Sequence, residues 1–167
     1  LRLHTIREKL TDLCAPSFVC LRQQHIDFSA RTAVEFKTAG DNEVAGMAIV
    51  QSDTYQYRLE YGMTNGSTVV RVVKCEAGEE SVLAEKPFAA ERVYLHIQQN
   101  GQELRFYYGE TAAKEQLLLD GADARILSTD VAGGFVGNCM GMYTSSNGSA
   151  SDNYADFDYF EYTGRDE

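Results

Sequence analysis

The sequence predicts an all-β domain, a sandwich or a barrel of ten to twelve strands. Three observations carry this. Runs rich in β-branched and aromatic residues recur at roughly 8–12-residue spacing with turn residues between them. Within the runs, apolar and polar residues alternate with the two-residue period of a strand. No amphipathic helix longer than about two turns is written anywhere in the chain. With 167 residues, 44% of them hydrophobic, and no internal linker, residues 1–167 read as a single domain with a sizeable core.

Taken in order, Leu1 to Ser17 is irregular, except that Thr5 and Glu8 stand at capping-box spacing and predict a short helical turn within Thr5–Leu13, which Pro16 ends. Strands are expected at Phe18–Gln24 and Asp27–Lys37. In the second, Phe28, Ala30, Thr32, Val34 and Phe36 share one face. Ala39-Gly40-Asp41-Asn42 is turn chemistry. Val44–Gln51 is continuously apolar, as a strand buried on both faces would be, and Tyr55–Tyr61 sets Gln56, Arg58 and Glu60 against its tyrosines and Leu59. Asn65-Gly66 is the strongest hairpin signal, and Asn100-Gly101 makes a second tight turn. Further strands follow at Val69–Cys75, Glu80–Glu85, Val93–Gln98, Glu103–Tyr108 and Glu115–Leu119. Asp120–Asp130 reads as a loop, and Gly134–Thr144 and Tyr154–Tyr162 close the sheet.

The formal net charge of −10 removes two classes of partner. Phosphate backbones and anionic membrane surfaces need a basic patch, so neither nucleic acid nor membrane is expected. No apolar run is long enough for a membrane span. The sequence opens on Leu1 and not Met, so it reads as processed or as a piece of something longer. Cys14, Cys20, Cys75 and Cys139 lack zinc spacing. Cys75 and Cys139 lie in apolar runs and read as buried free thiols.

No catalytic set emerges. His4, His25 and His96 are scattered, and no G-x-S-x-G is present. His25, in Arg22-Gln23-Gln24-His25, belongs to a polar cluster that needs partners. Asp156 and Asp158 share one strand face and could be solvated acids or part of a calcium site. Seven tyrosines, among them Tyr55, Tyr94 and Tyr107, could line a concave sugar-binding face or fill the core. Gly133, Gly134, Gly137 and Gly141, around the one aromatic Phe135, suit a projecting loop or a bulged strand edge.

The order of four segments resembles one family: Arg22–Thr32, Glu43–Arg58, Ala132–Gly137 (A-G-G-F-V-G) and Ser145–Tyr162 (S-S-N-G-S-A-S-D-N-Y-A-D-F-D-Y-F-E-Y). They are similar to the C-terminal domain of family 43 glycoside hydrolases, the β-xylosidases and α-L-arabinofuranosidases, over nearly the whole chain. The resemblance implies a concanavalin A-like jelly-roll β-sandwich of two antiparallel sheets. It also implies a partner, a catalytic β-propeller in the same polypeptide that holds the acid, the base and the pKa-modulating carboxylate. These have no counterpart in these 167 residues. The family's G-G-F loop matches Gly133-Gly134-Phe135, which implies that Phe135 helps wall the substrate pocket. Related sandwiches hold a structural calcium, which implies Asp158 as one ligand and a group near Asp27 as a second. Leu21 departs from the family, whose members often carry an Arg there.

The expected function is that of a non-catalytic accessory domain of a glycosidase acting on xylosides or arabinosides. The alternative is an independent carbohydrate-binding module for xylan-type oligosaccharides, and a xylo- or arabino-oligosaccharide is the expected small-molecule partner. A lectin-like retaining glucanase is disfavoured, because no E-x-D-x-x-E run is present.

Overall fold

The computed structural model describes residues 1–134 and 137–165. Twelve strands form two six-stranded antiparallel sheets. The first sheet holds, in spatial order, β1 (Arg2–His4), β12 (Tyr154–Arg165), β3 (Asp27–Glu35), β8 (Arg92–Asn100), β9 (Glu103–Gly109) and β10 (Gln116–Asp123). The second holds β2 (Ser17–Arg22), β11 (Cys139–Ser145), β4 (Val44–Ser52), β5 (Tyr55–Thr64), β6 (Ser67–Glu76) and β7 (Glu79–Pro87). This is the two-sheet sandwich that the resemblance implied. No helix among the described residues is long and apolar enough to cross a membrane.

The period-two pattern explains the core. Val34, Leu95, Ile97, Leu104 and Phe106 of the first sheet meet Met47, Ile49, Leu59, Val70 and Val72 of the second, all essentially inaccessible to water. Each such side chain contributes about 1.5–3 kcal/mol by burial. The apolar β4 is covered on its other face too, where Val44 and Ala48 pack with Leu10 and Tyr143. The edge strand β7 is exposed and carries Glu79, Glu80, Glu85, Lys86 and Pro87, which discourages pairing with another chain.

Four expectations are corrected. Thr5–Leu13 is not helical. Thr5 is buried against Thr144, with 2.8 Å between the hydroxyl oxygens. The segment instead crosses the outer face of the second sheet, where its carbonyls find donors. Ile6 and Arg7 accept from the Ser146 and Gly148 amides (2.9 and 2.8 Å). Glu8 accepts from Ser145 Oγ (2.8 Å) and Leu10 from Gln56 Nε2 (3.1 Å). Tertiary hydrogen bonds therefore outcompete the local cap. The second hairpin turns on Gly101 and Gln102, since Asn100 still pairs with Glu103. Asp120–Asp130 is not one loop. Strand β10 runs to Asp123, and two short helical turns follow because Ala122, Ala124, Ile126 and Leu127 are buried in the core. Finally, β11 starts at Cys139, well after Gly134. All four cysteines are free thiols.

Candidate functional site

One end of the sandwich gathers the polar cluster around His25 and the glycine-rich loop. Chain leaving β2 crosses here into β3, and the short helix Thr129–Ala132 delivers the loop that leads to β11. Gly133 and Gly134 take φ of 76° and 78°, a region open to glycine and strained for other residues, so the turn out of this helix depends on them. Gln51 Nε2, at the end of β4, donates to the Gly133 carbonyl (2.7 Å). Phe135, the residue expected to wall a pocket, lies outside the described residues.

Below the loop the polar side chains interlock. The Gln23 amide donates to the Asn138 carbonyl (2.9 Å), and Asn138 Nδ2 returns a bond to Gln23 Oε1 (3.1 Å). Gln23 Nε2 donates to the His25 carbonyl (2.8 Å). Tyr162 Oη accepts from the Gln24 and His25 amides and lies near His25 Nδ1, each at 3.1 Å. With both amides donating to Tyr162 Oη, its own hydroxyl proton is directed toward His25 Nδ1. The His25 ring lies where a Cβ on Gly164 would be, 2.0 Å from Nδ1, so only glycine fits that position. Of the polar cluster read from the sequence, the Gln23 and His25 side chains interlock and help to satisfy the backbone of the crossing, while Gln24 enters through its amide and Arg22 is exposed.

Two features here were not read from the sequence. Gln51 Oε1 and Asn138 Oδ1 are buried and accept no hydrogen bond from any described residue. Around them Leu21, Ile26 and Val131, on three separate elements of this end, are 37%, 67% and 45% exposed. No strand pattern marks such positions, because they fall at the ends of β2 and β4, in a one-turn helix and in the connections between elements.

Asp27 and Asp158 are not brought together. Asp27 pairs across the ladder with Arg165, whereas Asp158 sits in a bulge between Phe157 and Tyr159, which pair with Val34 and Ala33. At about 3.3 Å per residue the two are roughly 20 Å apart along the sheet. Each is already engaged: the Gly101 amide donates to Asp27 Oδ1 (2.6 Å), and Arg92 pairs with Asp158. They do not fit one calcium ion, and no cluster of three or more His, Cys, Asp or Glu suited to a metal occurs among the described residues. Asp156 and Asp158 do share the outward face, each with its own arginine, Arg2 (2.8 Å) and Arg92.

The tyrosines do not form one platform. Tyr57, Tyr61 and Tyr108 belong to the core. Tyr143 is buried on the outer face of the second sheet and Tyr94 in the first. A cavity of about 800 Å³ at the opposite end of the sandwich includes Phe36, Tyr61 and Tyr154, but the Arg2 guanidinium lies 3.8 Å over the Tyr154 ring and covers one face of it.

Comparison with known proteins agrees with this architecture. Residues 1–163 match the beta-xylosidase C-terminal concanavalin A-like domain. A non-reducing end α-L-arabinofuranosidase of Bacteroides ovatus is 33% identical over 164 residues, 97% of this chain and 30% of that protein. A xylosidase/arabinosidase of Butyrivibrio fibrisolvens is 30% identical over 160 residues, 96% of this chain and 31% of its own length. Among solved structures, a xylan β-1,4-xylosidase of Bacillus halodurans superposes with a TM-score of 0.89 at 26% identity, covering 96% of this chain and 32% of that one. The chain thus spans about a third of the length of the relatives it matches.

Proposed function

Since this chain belongs to the family of beta-xylosidase C-terminal concanavalin A-like domains of glycoside hydrolase family 43, we propose that it acts as a non-catalytic buttress. It packs on a catalytic propeller of the same polypeptide through the end that carries Gly133 and Gly134, and it lends the loop holding Phe135 to the wall of a xyloside or arabinoside pocket. The supporting observation is the chemistry of that end. Two buried amide oxygens, on Gln51 and Asn138, stand without donors among the described residues, at the same end as the exposed Leu21, Ile26 and Val131. A buried acceptor left unpaired costs about 1–3 kcal/mol, which a docked surface offering N–H groups relieves. The exposed apolar side chains suit the same contact.

The test uses the complete glycosidase. Phe135→Ala should raise KM for a xyloside or arabinoside by roughly ten- to a hundredfold, because burying a phenyl ring contributes about 1.5–3 kcal/mol and each 1.4 kcal/mol is a factor of ten. Calorimetric titration of the 167-residue chain alone with neutral xylo- and arabino-oligosaccharides should give no binding heat. Unchanged kinetics in the variant, or micromolar binding by the isolated chain, would favour the independent binding module instead.

A further inference from the structure

The outer face of the second sheet carries a cavity of about 400 Å³ whose lining is charged and includes neither Gly133 nor Gly134. Arg58 and Glu60 of β5, Arg71 of β6 and Glu80 of β7 form its floor, while Lys9 and Asn147 stand at its rim. The floor is fixed in place. Glu60 is 4% exposed and its carboxylate is saturated by Arg58 Nε (2.8 Å), Arg71 Nε (3.0 Å) and the Tyr143 hydroxyl (2.5 Å). Arg58, 9% exposed, also donates through Nη1 to Gln56 Oε1 (3.0 Å) and Glu80 Oε1 (2.8 Å). Both guanidiniums are thereby held rigid by one edge.

The charges do not cancel. Lys9, Arg58 and Arg71 face two carboxylates, so the cavity holds one positive charge in excess on a chain of net charge −10. Lys9 has no ion pair among the described residues, and each guanidinium keeps an Nη2 group that forms no hydrogen bond with them. Preorganised, partly desolvated guanidiniums recognise a carboxylate. The volume, at the low end for small-ligand sites, admits one sugar-sized ring and not a chain. Ser81, Asn147 and Glu80 supply donors and acceptors suited to hydroxyl groups.

We propose that this cavity is a binding site for a monocarboxylate borne on a sugar ring, a uronic acid. Its carboxylate engages Lys9 and the free edges of the arginines, and its hydroxyls engage Ser81, Asn147 and Glu80. The site is independent of the loop at the end of the sandwich, so either can fail without the other.

The test is calorimetric titration of the chain at low salt with glucuronate, glucose and acetate. Glucuronate should bind saturably at millimolar strength, glucose should give no signal, and acetate should bind at least tenfold more weakly than glucuronate. Lys9→Ala, at an exposed position that leaves the floor intact, should weaken glucuronate several-fold, and Arg71→Lys should weaken it further. Should Arg71→Lys fail to fold, Lys9→Ala still decides. No saturable glucuronate binding, equal binding of glucose, or wild-type affinity in Lys9→Ala would overturn the site. Acetate binding as tightly as glucuronate would overturn the sugar and leave a free carboxylate as the ligand.

Discussion

Both sheets bury polar side chains on faces turned away from the core, and they do so with different chemistry. On the second sheet, under the N-terminal segment, Glu60 takes bonds from two arginines and a tyrosine. Burial pushes its carboxyl pKa up, but the Arg58 and Arg71 charges and the Tyr143 hydroxyl outweigh that and hold it below the usual range. On the first sheet, His96 is stacked on Tyr107 with ring centroids 4.9 Å apart, and its Nδ1 is hydrogen-bonded to Glu115 from the connection between β9 and β10. Its Nε2 is buried with no partner among the described residues. Here burial wins over Glu115, and the imidazole pKa falls below its ordinary value. The contrast teaches that a buried ionisable group keeps its charge when every lone pair or proton has a partner, and loses it when one end is left bare.

Glu60→Gln breaks this contrast most strongly. It strips Arg71 of its carboxylate partner and leaves the buried Arg58 with Glu80 alone, and should cost about 3–5 kcal/mol in urea unfolding. A change under about 1 kcal/mol would mean that the arginines are solvated and the two faces are alike. Tyr143→Phe keeps the ion pairs and removes only one hydrogen bond to a charge, so about 1.5–3 kcal/mol is expected from the same measurement.

The pH response separates the faces. The unfolded chain protonates His96 near pH 6.5, whereas the folded chain resists until lower pH. The unfolded state thus binds more protons, and stability, full above about pH 6.5, declines as pH falls. Glu60 contributes in the same direction but only near and below the ordinary carboxylate range, around pH 4.5. Unfolding midpoints followed from pH 7 to 5 should therefore decline, and the decline should flatten in His96→Gln. An unaltered slope in that variant would place the proton uptake elsewhere. The smallest effect belongs to the exposed Asp158–Arg92 pair. Asp158→Asn should change stability by under about 1 kcal/mol, equally in calcium and in chelator. A calcium-dependent difference would restore Asp158 as a metal ligand.

Much of the sandwich was legible in the chain because strands carry a local signature. The alternation in Asp27–Lys37 places Phe28, Ala30 and Val34 in the core as read. Asn65 and Gly66 take positive φ and close a two-residue hairpin between Thr64 and Ser67. Ala77-Gly78 does the same between β6 and β7 and was not legible, because alanine rarely adopts its φ of 52°. Gln56, Arg58 and Glu60 look like a solvent face in sequence. The N-terminal segment, arriving from nearly 50 residues away, covers Gln56, and Arg58, Arg71 and Tyr143 enclose Glu60. The candidate site divides the same way. Gly133 and Gly134 announce their backbone, while the oxygens of Gln51 and Asn138, without a partner among the described residues, are brought together by the pairing of β4 with β11, which no local pattern encodes.

The place of β12 has a consequence for how the domain is made. This last strand lies between β1 and β3, and the Leu1 nitrogen donates to the Phe157 carbonyl (2.8 Å). One edge of β3 therefore stays unpaired until β12, more than a hundred residues further along the chain, has been made. Such an open edge pairs readily with other chains. Sealing it also brings β1 against the start of β12, a contact spanning about 150 residues and of the long-range kind that forms slowly.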